Sequence, residues 1–395
     1  MRWASAISQE QGTAEAIGEA AEVLHAELDG AAPDLVLAFV SPHHSAAYER
    51  VPEMVAAELP GALLCGCTGG GIIGSGHEVE RGPALSLTAA SLPGVELTPL
   101  YFSADAGDEG DGEEAALWRR RAGVASEPVP TFLLLPDAFT CDAPALVAGL
   151  DAAYPTSCKV GGLASGGGRA GHNALFLGAE AHRAGAVGVA LSGDITVDTI
   201  VAQGCRPIGK PYAVTRCEEN AILELDGAPA LEVLKELYDS LSSDDRELLR
   251  NSLFVGLEMR AEAVEFRAGE LLVRNIVGSV PELGALVVAA QVHRFQVLQF
   301  LLRDAAAATF DLERLLDAYR ASGAAAPAGA LLFSCLGRGE GLFGRADHDT
   351  DLFREHIGGV PMGGFFCNGE IGPVGGSTFL HGYTSSFGLF RSKSG

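Results

Sequence analysis

Three glycine-rich stretches decide how this chain is read: GCTGGGIIG (Gly66–Gly74), VGGLASGGG (Val160–Gly168) and GGFFCNGEIGP (Gly363–Pro373). Each lies at the end of a strand-length apolar run that itself follows a strand and a helical segment. Before the first stand LVLAFV (Leu35–Val40) and a helix to about Leu59. Before the second stand Phe132–Leu135 and a helix over Cys141–Asp151, and before the third stand Leu331–Ser334 and a helix over His348–Ile357. Further strand patterns follow every stretch. Counted from Gly66, Gly162 and Gly364, the pairs Gly70-Gly71, Gly166-Gly167 and Asn368-Gly369 fall at the same spacing. Such pairs suit a type I′ hairpin, which needs two consecutive residues at positive φ. The chain therefore reads as three diverged copies of a strand-helix-strand-hairpin unit.

A strand-helix-strand step requires a parallel pair, and the hairpin adds antiparallel partners. The expected class is α/β with α+β character: mixed parallel and antiparallel sheets covered by helices, in two domains. Residues 1–32 read as an N-terminal helical segment. Residues 33–217 hold the first two copies, and residues 218–395 hold the third together with inserted strands and helices. The weakest joins are the acidic glycine-rich loop near Glu109–Glu113 and the region near Glu218.

Composition limits the function classes. A formal net charge of -24 opposes phosphate backbones and anionic lipid surfaces, so neither nucleic acid nor membrane is an expected partner. Met1–Glu10 lacks a signal-peptide pattern, and no apolar run is long enough to span a bilayer, which makes the cytoplasm the expected compartment. The eight cysteines form no CxxC pair and no spacing typical of a small disulfide framework. No GxSxG, HExxH or P-loop pattern is present, so an enzyme is not expected.

In open sheets ligands gather beyond the strand ends, where glycine lets a backbone approach closely. The candidate ligand-binding residues are accordingly Cys67, Thr68 and Gly69 on the first turn, with Arg338, Phe365, Asn368, Gly369, Glu370 and His381 in the third copy. The third copy is the richest in chemistry. Arg338 can clamp a carboxylate through its planar two-point donor. An ion pair between Arg338 and Glu370 is an equally good account of those two residues, and a core histidine is the commoner account of His381.

The blocks GCTGGGIIG, VGGLASGGG, QGCRPIGKPYAVT (Gln203–Thr215), RNIVGSVPELGALVVAA (Arg274–Ala290), FSCLGRG (Phe333–Gly339), VPMGGFFCNGEIGP (Val360–Pro373) and FLHGYT (Phe379–Thr384) resemble the FIST family, whose N-terminal and C-terminal domains occur in tandem. The resemblance covers about Pro33 to Phe390. It implies a sensory domain of signal transduction that binds a small ligand, an amino acid or similar metabolite, and it leaves few residues for an output module. A signalling partner protein is thus expected. No cofactor is expected, although some members resemble haem-based nitric oxide sensors, which makes haem, held by a His or Cys on one turn, the alternative. A protein-interaction scaffold without ligand is a further alternative.

Overall fold

The computed structural model describes residues 1–104, 114–259 and 271–393; the acidic loop Glu109–Glu113 lies outside them. The protein is mixed α/β, with parallel and antiparallel pairing in its sheets. It divides into two compact units that do not follow the order of the chain. The first is Met1–Val201 with Leu315–Gly395, and the second is Ala202–Arg314. The third glycine-rich stretch therefore belongs to the same unit as the first two.

Three six-stranded sheets in the first unit share one plan. A central strand (Leu35–Val40, Thr131–Pro136 or Gly329–Cys335) pairs in parallel with a second strand (Leu63–Thr68, Lys159–Gly162 or Met362–Cys367). On its other side it pairs antiparallel with a closing strand (Leu85–Ser91, Ala186–Gly193 or Thr384–Arg391). Beyond the closing strand lies a lead strand: Arg2–Ser8, Val95–Phe102 or Thr196–Gln203. Arg2–Ser8 lies within the segment read from sequence as helical. Only Thr13–Leu28 of that segment is an α-helix.

The last position in each sheet is filled from elsewhere in the chain. The hairpin Ile72–Gly74/His77–Val79 of the first segment pairs onto Met362–Cys367 of the third. The hairpin Leu175–Leu177/Glu180–His182 of the second joins Leu63–Thr68 of the first. The hairpin Glu370–Val374/Ser377–His381 of the third joins Lys159–Gly162 of the second. Each segment so completes its neighbour's sheet, in a closed cycle of three.

This exchange explains the glycine-rich stretches, and not as sequence reasoning expected. None of the pairs Gly70-Gly71, Gly166-Gly167 and Asn368-Gly369 has positive φ. They lie where the chain crosses from its own sheet to the next, and the crossing is tight: a Cβ on Gly71 would stand 2.7 Å from Phe366 Cδ2, and one on Gly166 2.7 Å from Thr68 Cβ. The positive-φ hairpin turns come later, at Ser75-Gly76 (φ 50 and 77), Gly178 (φ 57) and Gly375-Gly376 (φ 62 and 91). The register is also one residue different in the second segment. Gly66, Gly161 and Gly364 are the equivalent glycines, since they pair with Ala38, Leu134 and Leu332. A Cβ at these positions would lie 2.0, 1.8 and 1.9 Å from the carbonyl oxygen of that partner. Gly66→Ala should lower stability by about 1–3 kcal/mol in denaturant titration, the usual cost of forcing backbone apart in a packed sheet.

Both faces of the central strands are covered, which is why their sequences are continuous apolar runs and do not alternate. Leu35, Leu37 and Phe39, with Leu133, Leu135, Leu331 and Phe333, point into one shared core with Phe365. Phe365 stacks on Phe39 at 5.0 Å between ring centroids and meets Phe333 edge-on at 5.8 Å. The opposite face of the first sheet buries Val36, Ala38 and Val40 against the helices Thr13–Leu28 and Val51–Glu58. That of the second buries Phe132 and Leu134 against Ala143–Ala153.

The second unit is an antiparallel barrel. Strands Cys205–Glu218, Val297–Arg303, Leu253–Glu258, Leu271–Val280, Ala285–Val288 and Ala221–Leu225 follow one another in a sheet, and pairing of Cys205–Glu218 with Ala221–Leu225 closes the ring. Phe300, Leu298, Val255 and Val288 are among the residues of its core.

Candidate functional site

The shared plan of the three sheets makes positions comparable by register, and the comparison singles out one place. In the donated hairpins, Ile73, Phe176 and Ile371 face the equivalent glycines Gly364, Gly66 and Gly161. The residue before each is Ile72, Leu175 and Glu370. Ile72 and Leu175 belong to the central apolar core, whereas Glu370 puts a carboxyl with no exposed surface at the same position. Similar replacements surround the head of the third segment's central strand. Ser334 stands where Val40 and Pro136 stand, and Ser385 where Leu85 and Ala186 stand.

Arg338 follows the central strand at the start of the short helix Gly339–Phe343 and is 1% exposed. Its acidic partner is Asp349, not Glu370. Asp349 lies on the helix His348–His356, and the pair is two-pronged: Arg338 Nε donates to Asp349 Oδ2 at 2.9 Å and Nη2 to Oδ1 at 2.9 Å. Ser385 Oγ and Ser334 Oγ also donate to Oδ2, the latter at 3.3 Å, and His348 Nδ1 lies 2.8 Å from Oδ1. Burial alone would push the Asp349 carboxyl up, but the Arg338 guanidinium and the surrounding donors hold it well below the usual carboxylate range. The Phe343 ring lies 5.2 Å from the guanidinium carbon.

Two further carboxyl groups complete the cluster. Glu78 arrives on the hairpin from the first segment and accepts from the Thr350 backbone N–H at 2.9 Å. Burial, with the neighbouring Asp349 charge, pushes it up to about 8. Glu370 Oε2 accepts from the Thr384 N–H at 3.2 Å and from Thr384 Oγ1 at 2.7 Å. Burial pushes it likewise up to about 8, against the pull of those bonds and of Arg338. The weak Cys335 thiol also faces this carboxyl. Arg338 Nη1 and Glu370 Oε1 are both buried with no conventional hydrogen-bond partner. Leaving such groups unmatched costs free energy, which makes this cluster the candidate binding position. Next to Glu78, a cavity of about 310 Å³ is lined by His77, Glu80, Arg81, Glu340 and Asp347 among others.

The other candidates from the sequence have different surroundings. Thr68 Oγ1 donates to Asn173 Oδ1 at 3.1 Å and accepts from Ala174 N–H at 3.1 Å. Asn173 in turn donates to Asp137 at 2.7 Å, so Thr68 sits in a satisfied buried network. Cys67 is fully buried, and burial raises its thiol well above the ordinary range. Gly69 packs against Phe365, where a Cβ would lie 2.8 Å from the Phe365 Cβ. Asn368 has an exposed side chain, and its N–H donates to the Leu163 carbonyl. The Gly369 carbonyl accepts from the Leu163 N–H. His381 is the cross-strand partner of Glu370, and its Nε2 lies 2.9 Å from the Gly372 carbonyl. Of the nine, then, Arg338 and Glu370 lie in the polar cluster, and His381 pairs beside it.

Sequence reasoning missed Asp349, Glu78, Ser334, Thr384 and Ser385. Asp349 left one readable trace: HDTD (His348–Asp351) opens a helix with two carboxylates two positions apart, which lie on different faces, so a helix packed on a sheet turns one of them inward. Glu78 left none, because its place depends on the exchanged hairpin.

A mixed α/β protein whose three interlocked sheets carry a buried polar cluster at the head of one central strand is the class that fold and site define. Models of the FIST N domain and the FIST C domain match residues 34–228 and 230–373, and the chain belongs to the FIST family, whose domains are sensory domains of signal transduction. Full-length relatives include "Uncharacterized protein Rv0628c" of Mycobacterium tuberculosis, 36% identical over 390 residues that cover 99% of this chain and 100% of that protein. "Uncharacterized protein Mb0898c" of Mycobacterium bovis is 36% identical over 384 residues, covering 96% and 95%. A solved structure described as "Cyanuric acid hydrolase: evolutionary innovation by structural concatenation" covers 68% of this chain and 85% of its own at 11% identity and a TM-score of 0.28, a likeness too slight to carry an argument. Among the described residues no helix is long and apolar enough to cross a membrane.

Proposed function

We propose that this chain is a receptor for a small polar metabolite bound at the Arg338–Glu370 centre, that an amino acid is the best match, and that a partner protein reads the liganded state. The observation that supports this is the pair of buried unspent atoms, Arg338 Nη1 and Glu370 Oε1, in a cluster built where the other two segments are apolar. A ligand carboxylate matches the first as acceptor, and a ligand ammonium matches the second as donor. On this reading the protein binds and does not catalyse. The nearest thiol, Cys335, is pushed up to about 12, chiefly by burial, and is therefore a poor nucleophile near neutral pH.

A thermal-shift panel of amino acids and small amines, carboxylates and neutral amides tests the reading. A ligand at about 100 times its dissociation constant stabilises the native state by about 2.7 kcal/mol. For a chain of this size that corresponds to a rise of about 2–4 °C or more in Tm. The expected result is at least one such rise that Glu370→Gln weakens. A panel in which nothing shifts the wild type overturns the reading.

A further inference from the structure

Resting on that reading of the site, we infer that Glu370 is a proton-exchange position: its carboxyl holds a proton in the free protein and releases it to solvent when a ligand ammonium takes its place, so that ligand sensing is coupled to pH. The step balances as protein carboxylic acid plus ligand ammonium giving a carboxylate–ammonium pair plus one proton in the solvent. No oxidant, reductant or further reactant enters.

Glu370 is enclosed on all sides. On the central strand of its segment stands Cys335, and on the second strand Cys367, both thiols. On the closing strand Thr384 supplies two neutral donors. Across its own hairpin is His381, directed to the Gly372 carbonyl. From the sheet that receives the hairpin comes the paired Gly162, which offers no charge; Lys159 at the start of that strand is spent on Asp151 at 2.7 Å. Arg338 is a neighbouring cation, and its fork is engaged by Asp349. In the free protein the Arg338 charge is already matched by Asp349, so Glu370 has no counter-ion of its own. A carboxyl so placed is stable as the neutral acid, in line with burial moving it up to about 8.

The position itself is unusual for the fold. Core packing at Ile72 and Leu175 shows that the hairpin junction needs no polar group there. The acid is retained with one oxygen bonded to Thr384 and the other unspent. A compact cationic donor supplies the missing charge and the missing hydrogen bond together. An anionic or neutral ligand group would supply neither reason for the carboxyl to ionise.

Two measurements on the full chain test this. Infrared difference spectra of wild type and Glu370→Gln at pH 7, without ligand, should show the carbonyl band of one protonated carboxylic acid in the wild type alone. Its absence overturns the inference whether or not a ligand is known. Calorimetric titration with the best amine from the thermal-shift panel, run at pH 7 in phosphate and in Tris, should show about one proton released by wild type and none by Glu370→Gln. Affinity should rise up to about tenfold per pH unit from pH 6 towards 8 and then level off. Amine binding with no proton release, or with equal release by both proteins, overturns the inference and leaves the receptor reading standing. If only carboxylates or neutral amides bind, the inference is likewise overturned. A panel in which nothing binds defeats the receptor reading and this inference together.

Discussion

Asp349→Asn should lower the stability of the protein by about 3–5 kcal/mol, which denaturant unfolding would register as a large shift of midpoint. The cause is the charge left behind. Arg338 is buried with its fork on Asp349. Taking away the carboxylate strands a guanidinium in a medium that solvates it poorly. Arg338→Leu should cost a comparable amount for the mirror reason, since Asp349 then keeps its Ser334, Ser385 and His348 contacts but loses its counter-ion. The double variant should recover part of the loss, because two apolar or neutral groups of similar size avoid the desolvation that each single variant suffers. The folded-state carboxyl of Asp349 is held below its unfolded value. Its contribution is therefore fully present above about pH 4 and is lost as the pH falls towards the depressed folded value.

Glu370 should give the opposite dependence. Its folded-state value, about 8, lies above the unfolded value, so the folded chain binds the extra proton. The stability it contributes is complete below about pH 4 and is lost as pH rises to about 8, with a slope of about 1 kcal/mol per pH unit in between. Glu78 adds in the same direction. Glu370→Gln keeps an acceptor for Thr384 and removes the titration. Its stability should match wild type near pH 5 and exceed it by about 4 kcal/mol at pH 8. Parallel stability curves for the two proteins from pH 5 to 8 would show that Glu370 is ionised in the folded state throughout.

The elements were legible in the sequence because the physics that sets them is local. Leu35–Val40, Phe132–Leu135 and Leu331–Ser334 are apolar along their whole length, and only a strand covered on both faces asks for that. The glycine stretches suggest hairpin turns within a segment when read locally, whereas the chain leaves its own sheet there. The glycines answer to contacts such as Gly166 with Thr68, ninety-eight residues away, which no local pattern records. The one-residue register difference follows from the same blindness, since the spacing to Gly166-Gly167 selects Gly162 whereas it is Gly161 that lies under the Leu134 carbonyl. Likewise the long stretch before the third segment could be seen as strand-rich but not as a closed barrel, because closure depends on pairing between Cys205–Glu218 and both Val297–Arg303 and Ala221–Leu225.

The site was half legible. Arg338 and Glu370 stood out as charged residues at glycine-rich strand ends, and both are in the centre. An ion pair between the two and a ligand clamp at Arg338 are equally good accounts of these residues in the sequence. The true partner of Arg338 is eleven residues along, on a helix that the sequence placed correctly but could not orient. What makes Glu370 distinctive is not its neighbourhood in the sequence but its comparison with Ile72 and Leu175, which requires the sheet register.

The central claim is that binding resides in this buried polar centre and not at the exposed crossing turns. Calorimetric affinity of the best ligand from the panel for wild type, Glu370→Gln and Asn368→Ala tests it most directly, because Asn368 lies on a crossing turn with its side chain exposed. The account predicts a loss of about tenfold or more for Glu370→Gln, the scale of one charge-assisted hydrogen bond, with Asn368→Ala equal to wild type. Unchanged affinity in Glu370→Gln together with a loss in Asn368→Ala would place the ligand at the turns and contradict it.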